Sequence, residues 1–159
     1  MIENSELKRV LSYDATSGQF IWLAKIGHSQ VGELAGSRHS EGYWQVWIGG
    51  HQYMAHRLAL FYVYGCWPSH DVDHINGQRD DNRLANLREV SRGQNMQNQR
   101  RPRSNNKTGF LGVVPNRKRF AAQICVAGKT TCLGTFDTPE QAHAIYVEAK
   151  RRIHECCEI

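Results

Sequence analysis

Two short apolar segments in the middle of the chain, joined by a loop of turn-forming residues, restrict what this region can form. Val72–His74 and Leu87–Val90 have the composition of strands, and Asp, Asn and Gly are frequent between them. Ser91 and Gln94 follow at the spacing of a helix start, where each side chain can bond a free backbone N–H of the other residue. This order predicts a strand–loop–strand–helix unit whose helix carries Asn95 and Asn98.

The same unit concentrates groups that can cleave a phosphodiester. Asp73 offers a carboxylate for a metal, and a neutral His74 imidazole can take a proton from water because histidine titrates near neutrality. Neighbouring strand residues point to opposite faces, so we expect the two side chains to diverge unless the strand ends between them, and Gly77 permits the sharp exit of such an end. An ordinary polar turn explains the glycine and the asparagines singly, but not an Asp-His pair in an apolar stretch.

Residues 73–98 resemble the HNH endonuclease motif, in the variant found in phage and intron-encoded homing-type nucleases. The resemblance implies a ββα fold that clamps one divalent metal, with Asp73 as the first ligand and His74 as the general base. It also implies that Asn86 ties the loop together and orients the histidine, and that Asn95 is the last ligand. Many members have histidine at that last position, and a neutral amide oxygen favours Mg²⁺ or Mn²⁺ over zinc.

Residues further upstream carry the same resemblance, which therefore covers roughly residues 5–99. They are His56-Arg57, Gly65, and the pattern formed by Tyr13-Asp14, Gly18, Phe20 and Trp22. On an apolar helix a histidine such as His56 is more often a hydrogen-bonded scaffold residue than a ligand, although it could orient Asp73 or a phosphate. We interpret Asp80 and Asp81 as residues that stabilise the loop.

Positive charge is concentrated in one part of the chain, since no acidic residue lies between Val90 and Phe136. Of the chain's 20 Lys and Arg residues, nine lie there, which leaves 11 against all 15 Asp and Glu. The nine are Arg92, Arg100, Arg101, Arg103, Lys107, Arg117, Lys118, Arg119 and Lys129. A short basic run is often a solvated face, but a single-sign segment of this length predicts a nucleic acid partner. Within this segment, we interpret residues 99–107 as a polar linker whose basic side chains follow the phosphate backbone of the nucleic acid.

Beyond this linker the pattern predicts a small antiparallel sheet packed on one helix. The expected strands are Gly109–Val114, Arg119–Val126 and Thr130–Phe136, with turns at 116–118 and 127–129. Thr138, Pro139 and Gln141 have the order of a capped helix start. Apolar residues follow at helical spacing: Ala142, Ile145, Tyr146, Ala149 and Ile153.

The second unit resembles the plant ethylene-response-factor DNA-binding domain, which also occurs appended to phage HNH nucleases. The residues that carry this resemblance are Gly112-Val113, 120–124, 133–136 and Asp137-Thr138, with Ala142 and Tyr146. The resemblance implies that the sheet lies in the major groove of DNA. The matching contact positions are Arg117, Arg119, Gln123, Lys129 and Thr131, with Lys118 beside them. Phe120 and Cys132 replace tryptophans of the plant domain, which argues against the plant DNA sequence preference and leaves the fold credible.

The remaining N-terminal elements are read from periodicity and turn residues. We expect a short helix capped by Asn4 or Ser5 that buries Leu7, Val10 and Leu11, a strand at Gln19–Leu23, and irregular structure at 25–42. A hairpin should join Tyr43–Ile48 to Gln52–Met54 through Gly49-Gly50, and Ala55–Tyr64 should form a buried helix that stops at Gly65 and Pro68.

Composition excludes several classes of protein. No apolar run approaches the roughly 18 residues of a membrane span, and the first residues do not resemble a signal peptide, so we expect a cytoplasmic protein. The 5 cysteines form no C-x-x-C pair, which argues against a zinc ribbon. We interpret Cys125 and Cys132 as small buried apolar residues, and the four tryptophans, Trp22, Trp44, Trp47 and Trp67, as core and hairpin packing.

The sequence thus predicts an α+β protein with an HNH nuclease domain at 1–99, a basic linker at 100–107 and an ethylene-response-factor-like domain at 108–159. The predicted function is cleavage of double-stranded DNA with Mg²⁺ or Mn²⁺, without a small-molecule cofactor or a membrane. Predicted DNA contacts include Arg100, Arg101 and Arg103. The alternative is a non-catalytic DNA-binding regulator that retains an HNH scaffold, and an RNA-processing nuclease is a weaker third possibility.

Overall fold

The chain forms two compact units, Met1–Val90 and Ser91–Ile159, in the computed structural model. The structure describes residues 2–102, 105–126 and 128–153. Both units combine helices with small antiparallel sheets, so the mixed class expected from the sequence is observed. Within these described ranges, no helix has both the length and the apolar character needed to cross a lipid bilayer.

The described part of the N-terminal unit contains two α-helices and seven short strands. They are α1 (Asn4–Val10), β1 (Leu11–Asp14), β2 (Gln19–Trp22), β3 (Ser37–Arg38), β4 (Trp44–Ile48), β5 (His51–Met54), α2 (Ala55–Tyr64), β6 (Asp71–His74) and β7 (Leu87–Val90). The strands form three antiparallel sheets, β1-β2, β3-β4-β5 and β6-β7. A 3₁₀ turn at Leu84–Asn86 leads into β7.

One apolar core joins α1, α2 and the N-terminal sheets. Leu7, Leu11 and Leu58 are fully buried in it, and Phe20 is nearly so. Each such side chain contributes about 1.5–3 kcal/mol relative to an exposed one. The predicted helix over Ala55–Tyr64 is confirmed, because its apolar residues face this core and Gly65 ends it with φ +77°, a conformation that glycine adopts easily.

Some details at the N-terminus differ from the prediction. The N-cap of α1 is Glu3, and the Asn4 amide instead donates a 2.6 Å hydrogen bond to the carbonyl oxygen of Phe61 in α2. Leu11 does not belong to α1 but begins β1, where it pairs with Trp22. The segment expected to be irregular contains the two-residue strand β3, which pairs with β4.

The described part of the C-terminal unit contains a three-stranded antiparallel sheet and two helices. They are α3 (Arg92–Gln97), β8 (Val113–Asn116), β9 (Arg119–Val126), β10 (Lys129–Phe136) and α4 (Pro139–Ile153), with sheet order β10-β9-β8. Val113, Ala122 and Ala142 form the buried core between the sheet and α4. Lys150 of α4 is fully buried, and its Nζ donates a 2.6 Å hydrogen bond to the carbonyl oxygen of Gln99.

Several expectations for side chains and strand ends were wrong. The first strand of this sheet begins at Val113 and not at Gly109, because residues 109–112 form bends and turns. Cys125 and Cys132 are exposed and not buried. Trp47 is 56% exposed and does not pack in the core. Of the expected turn at 127–129, Ala127 lies outside the described residues.

The approach of Gly112 to Tyr146 explains why this glycine leads into β8. Its φ is +71°, and a Cβ atom built there would lie 2.0 Å from the Tyr146 ring. A larger residue would therefore push the ring of a core tyrosine out of place.

We predict that Gly112→Ala destabilises the C-terminal unit by roughly 2–4 kcal/mol, the sum of backbone strain and overpacking. Gly109→Ala is the matched control, since Gly109 has a similar φ of +76° but a Cβ atom added there would meet no other atom within 4 Å. Thermal unfolding of the full chain, monitored by circular dichroism, measures both. Equal losses of stability in the two variants would contradict this account of Gly112.

Candidate functional site

Strand register places Asp73 and His74 on opposite faces of β6. In the β6–β7 hairpin Asp73 lies opposite Arg88, and His74 lies opposite Leu87. Exposure alternates along β6, so that His74 is 4% exposed and faces the interior while Asp73 is only partly buried. The strand does not end between them, and the chain turns away at Gly77, whose N–H donates to the His74 carbonyl at 2.9 Å.

The side-chain amide of Asn86 joins both ends of the loop that follows β6. Its Oδ1 accepts a 2.9 Å hydrogen bond from the backbone N–H of Asn76, and its Nδ2 donates a 2.7 Å bond to the carbonyl oxygen of Asp81. The Ile75 N–H adds a 2.9 Å bond to the Asn86 carbonyl. Because Asn86 is 7% exposed, these bonds satisfy buried polar groups and fix the exit from β6.

A second amide, that of Asn82, fixes the His74 ring. The Nε2 atom of His74 lies 3.2 Å from Oδ1 of Asn82, and Nδ2 of Asn82 donates a 3.2 Å bond to the Asp80 carbonyl. Because Nδ2 of Asn82 donates to Asp80, the amide atom that faces the histidine is the oxygen. An amide oxygen only accepts hydrogen bonds, so Nε2 of a neutral His74 carries the hydrogen. The lone pair then lies on Nδ1, which makes no hydrogen bond within the described residues.

The surroundings of His74 are aromatic. The His56 ring packs against it edge-on at 5.1 Å between centroids, and the Tyr43 ring lies at 6.0 Å. Burial lowers the pKa of His74, while the bond to Asn82 and the nearby carboxylates, Asp73 first among them, act in the opposite direction. The net lowering keeps the imidazole neutral at neutral pH.

His56 differs from the scaffold role expected of it. It is 8% exposed, and its Nδ1 has no hydrogen-bond partner in the described part of the chain, so it is not held by a bond at that atom. Its ring contacts the ring of His74. Burial lowers the pKa of His56 to about 3, and the proximity of the titratable His74 ring and of the Arg57 guanidinium acts in the same direction.

The carboxylate of Asp73 is paired with the residue opposite it in the hairpin. Nε and Nη2 of Arg88 lie 3.1 and 3.0 Å from the same oxygen, Oδ2. Both side chains are largely buried, with 15% exposure for Asp73 and 23% for Arg88. Any cation that binds Asp73 would have to share this carboxylate with the guanidinium.

The two loop aspartates stabilise the loop, as expected. Asp81 accepts two bonds from the Arg83 guanidinium, at 2.8 and 2.6 Å, and one from the Asn76 amide. Bonding to Arg83 lowers the pKa of Asp81 to about 2. Asp80 forms a 3.2 Å ion pair with Arg38.

The turn between β1 and β2 supports this loop from the other side. The Tyr13 hydroxyl donates a 2.7 Å bond to the Asn82 carbonyl, and the Leu84 N–H donates to Ala15 at 3.1 Å. A Cβ on Gly18 would lie 2.4 Å from the backbone of Asn82. Contact between this turn and the loop gives Tyr13 and Gly18 a structural role that sequence reasoning did not assign.

Asn95 lies in α3, within the C-terminal unit, whereas Asp73, His74 and Asn86 belong to the N-terminal unit. The predicted capping box is present, with Gln94 N–H donating to Ser91 Oγ and Ser91 N–H donating to the Gln94 side chain. It fixes the first turn of α3, one residue before Asn95. Asn98 is the C-cap residue and not part of the helix.

The donor chemistry of Asp73 and Asn95 fits a hard divalent cation. A carboxylate and an amide oxygen are ligands that Mg²⁺ and Mn²⁺ accept, and Mg²⁺ keeps several water ligands when few protein ligands are present. Groups of three or more His, Cys, Asp or Glu side chains suited to a metal do not occur in the ranges that the structure describes. The Asp73 carboxylate and the Asn95 amide are thus each, taken alone, a group that such an ion accepts as a ligand.

The predicted DNA-contacting residues fall on different parts of the C-terminal unit. Arg100 and Arg101 follow α3, and Arg103 lies outside the described residues. Arg117 and Lys118 form the exposed β8–β9 turn, where Arg117 has a φ of +55°.

Strand register divides the remaining contact positions between two faces of the sheet. Residues 119 and 123 share one face of β9, while Lys129 and Thr131 lie opposite Val126 and Ile124, on the other face. The charge of Arg119 is nevertheless offset from outside the basic segment, because its Nε lies 2.8 Å from Oδ1 of Asp137.

Comparison with known proteins gives one family and one structural likeness. Residues 53–97 match the HNH endonuclease family, and this range includes Asp73, His74, Asn86 and Asn95. A solved structure described as DNA binding and cleavage by the HNH homing endonuclease I-HmuI is similar, with 25% identity and a TM-score of 0.43. The likeness covers 56% of this chain and 51% of that chain, so it spans about half of each. No curated protein sequence matches the chain.

The burial of His56 predicts a loss of stability in acid. A group whose pKa falls from 6.5 in the unfolded chain to about 3 in the fold stabilises the fold fully above pH 6.5 and less as the pH falls below it. Its contribution should decline by at most about 1.4 kcal/mol per pH unit. His56→Leu should remove this decline. We predict that urea unfolding between pH 7 and pH 4.5 shows a smaller loss of stability in the variant, whereas parallel losses would contradict the buried neutral state of His56.

Proposed function

We propose that the chain is a metal-dependent DNA endonuclease in which His74 is the general base. The observation that carries the proposal is the His74 ring held by the Asn82 amide inside a segment that matches the HNH endonuclease family. With the Nε2 hydrogen donated to Asn82, the lone pair on Nδ1 is available to accept a proton from water. Burial favours the neutral imidazole, which is the state that a base requires.

Asp73 and Asn95 are the proposed metal ligands, and Mg²⁺ or Mn²⁺ is the ion that their oxygens favour. When bound, such an ion offsets the negative charge that develops on the phosphate oxygens. Asn86 does not take part in the chemistry in this scheme. It closes the loop and so holds Asp73 and His74 at the end of β6.

The divergence of Asp73 and His74 restricts where the reacting phosphate can lie. Because the two side chains leave β6 on opposite faces, a phosphate in the middle of either face would meet only one of them. We therefore place it at the C-terminal end of β6, where the chain turns at Gly77 and both residues border the same edge. His74 would take the proton from the attacking water there, while Asn82 and Tyr13 hold its ring and loop in place.

The C-terminal unit is the proposed DNA-binding module. Exposed Arg117 and Lys118 project at the β8–β9 turn, and Arg119 and Gln123 share the sheet face that we assign to the DNA groove. Arg100 and Arg101 would contact the phosphate backbone and add affinity without reading sequence. A module of this kind beside an HNH segment is consistent with a homing-type nuclease.

Two observations favour a non-catalytic DNA-binding protein as the second candidate. His74 is almost fully buried, and Arg88 occupies one oxygen of Asp73. In that case the amide network would serve only to stabilise the fold. The cleavage assay below separates the two functions, since only the first requires His74 for a chemical step.

We predict that the full chain nicks supercoiled plasmid with Mg²⁺ or Mn²⁺ and that His74→Ala lowers the rate on the order of 10²–10⁴-fold, as expected for loss of a positioned base. DNA binding should change little. Reactions with a chelator and with His51→Ala, which changes an exposed histidine outside the site, serve as controls. Undiminished cleavage by His74→Ala, or in the chelator, would exclude the proposed mechanism.

We also predict that Arg117→Ala with Lys118→Ala weakens binding to duplex DNA more at low salt than at high salt. Each lost phosphate contact should reduce the slope of log K against log salt by about 1. Lys25→Ala, at an exposed site of the N-terminal unit, is the control. Fluorescence anisotropy at two or more salt concentrations measures the slopes. An unchanged slope would remove the β8–β9 turn from the DNA-binding surface.

A further inference from the structure

The contact between Arg88 and Asp73 gives the arginine a specific relation to the proposed metal ligand. The two residues are directly opposite in the β6–β7 register, so the hairpin itself brings them together. Two guanidinium nitrogens converge on the single oxygen Oδ2, at 3.1 and 3.0 Å. Charge-assisted bonds of this kind are stronger than neutral ones, and they hold the carboxylate in one orientation.

Both members of the pair are poorly exposed to solvent, in contrast to the ion pair between Arg152 and Glu148. Asp73 and Arg88 are 15% and 23% exposed, whereas Arg152 and Glu148 are 76% and 56% exposed. Charges interact more strongly where water is largely excluded, so the guanidinium strongly affects any other charge placed at Asp73. A divalent cation bound there would be repelled by Arg88, and a phosphodiester placed next to both would offset that repulsion.

We propose that Arg88 is a positioning residue that shares the Asp73 carboxylate with the catalytic divalent cation and makes firm binding of that cation depend on a bound phosphodiester. The inference rests on the proposed function, because it takes Asp73 as a metal ligand. A guanidinium that gives up part of its contact with Asp73 can bond a phosphate oxygen instead, and guanidinium groups suit phosphate as well as carboxylate. Arg88 thereby couples the affinities for metal and for DNA, and the coupling acts equally on both.

The test measures Mn²⁺ binding directly and not through cleavage. Electron paramagnetic resonance of free Mn²⁺ gives its dissociation constant for the full chain, with and without duplex DNA, in a His74→Ala background that prevents turnover. The variants are Arg88→Gln, Arg88→Lys and Asp73→Asn. Arg152→Gln is the matched control, since it removes an exposed guanidinium–carboxylate pair from α4.

Without DNA, Arg88→Gln should bind Mn²⁺ about tenfold more tightly, because the competing positive charge is gone. The gain in Mn²⁺ affinity caused by DNA should be smaller in Arg88→Gln than in the parent and retained in Arg88→Lys. A purely structural role for Arg88 would not tighten metal binding. Unchanged or weaker Mn²⁺ binding by Arg88→Gln would overturn the inference.

Asp73→Asn separates failure of this inference from failure of the proposed function. If Asp73→Asn loses Mn²⁺ while Arg88→Gln binds it like the parent, the coupling through Arg88 is wrong and the metal assignment stands. If Asp73→Asn binds Mn²⁺ like the parent, Asp73 is not the ligand. The proposed metal site and the inference built on it then both fall.

Discussion

The amide of Asn86 closes the loop between β6 and β7, and the arrangement of the candidate site depends on that closure. Its oxygen accepts from the backbone N–H of Asn76, ten residues earlier in the chain, and its nitrogen donates to the carbonyl oxygen of Asp81, five residues earlier. A residue without both a donor and an acceptor would lose one of these partly buried bonds, at a cost of roughly 0.5–1.5 kcal/mol. The loop would then no longer hold Asn82 against His74.

The orientation of the His74 ring therefore depends on a series of polar contacts that begins outside the loop. The β1–β2 turn supports the loop through Tyr13, the loop presents the Asn82 amide, and that amide selects which imidazole nitrogen carries the hydrogen. Aromatic packing by His56 completes the enclosure and favours the neutral ring. Fixed side chains supported by further hydrogen bonds are a general requirement of precise catalytic sites.

Sequence patterns correctly predicted the helices whose start or end is set by residues close together in the chain. The apolar run ending at Gly65 predicted α2, and Ser91 with Gln94 predicted the start of α3, because propensity and capping act within a few residues.

Contacts between residues distant in sequence were not predicted. Leu11 fits a helical pattern but pairs with Trp22, and Asn82 is a turn residue by composition. Arg88 could have been found, since pairing His74 with Leu87 places it opposite Asp73. Exposure of Cys125 depends on which sheet face α4 covers, and strand periodicity alone does not decide this.

The protonation state of His74 is the central claim, and nitrogen-15 NMR of the imidazole tests it most directly. With the histidines labelled and His74 assigned by comparison with His74→Ala, the spectrum at pH 7 should show a neutral ring with the hydrogen on Nε2 and a basic Nδ1. Asn82→Leu should abolish the preference for that tautomer. A ring protonated at Nδ1, or a fully protonated ring at pH 7, would contradict the account of His74 as a base poised by Asn82.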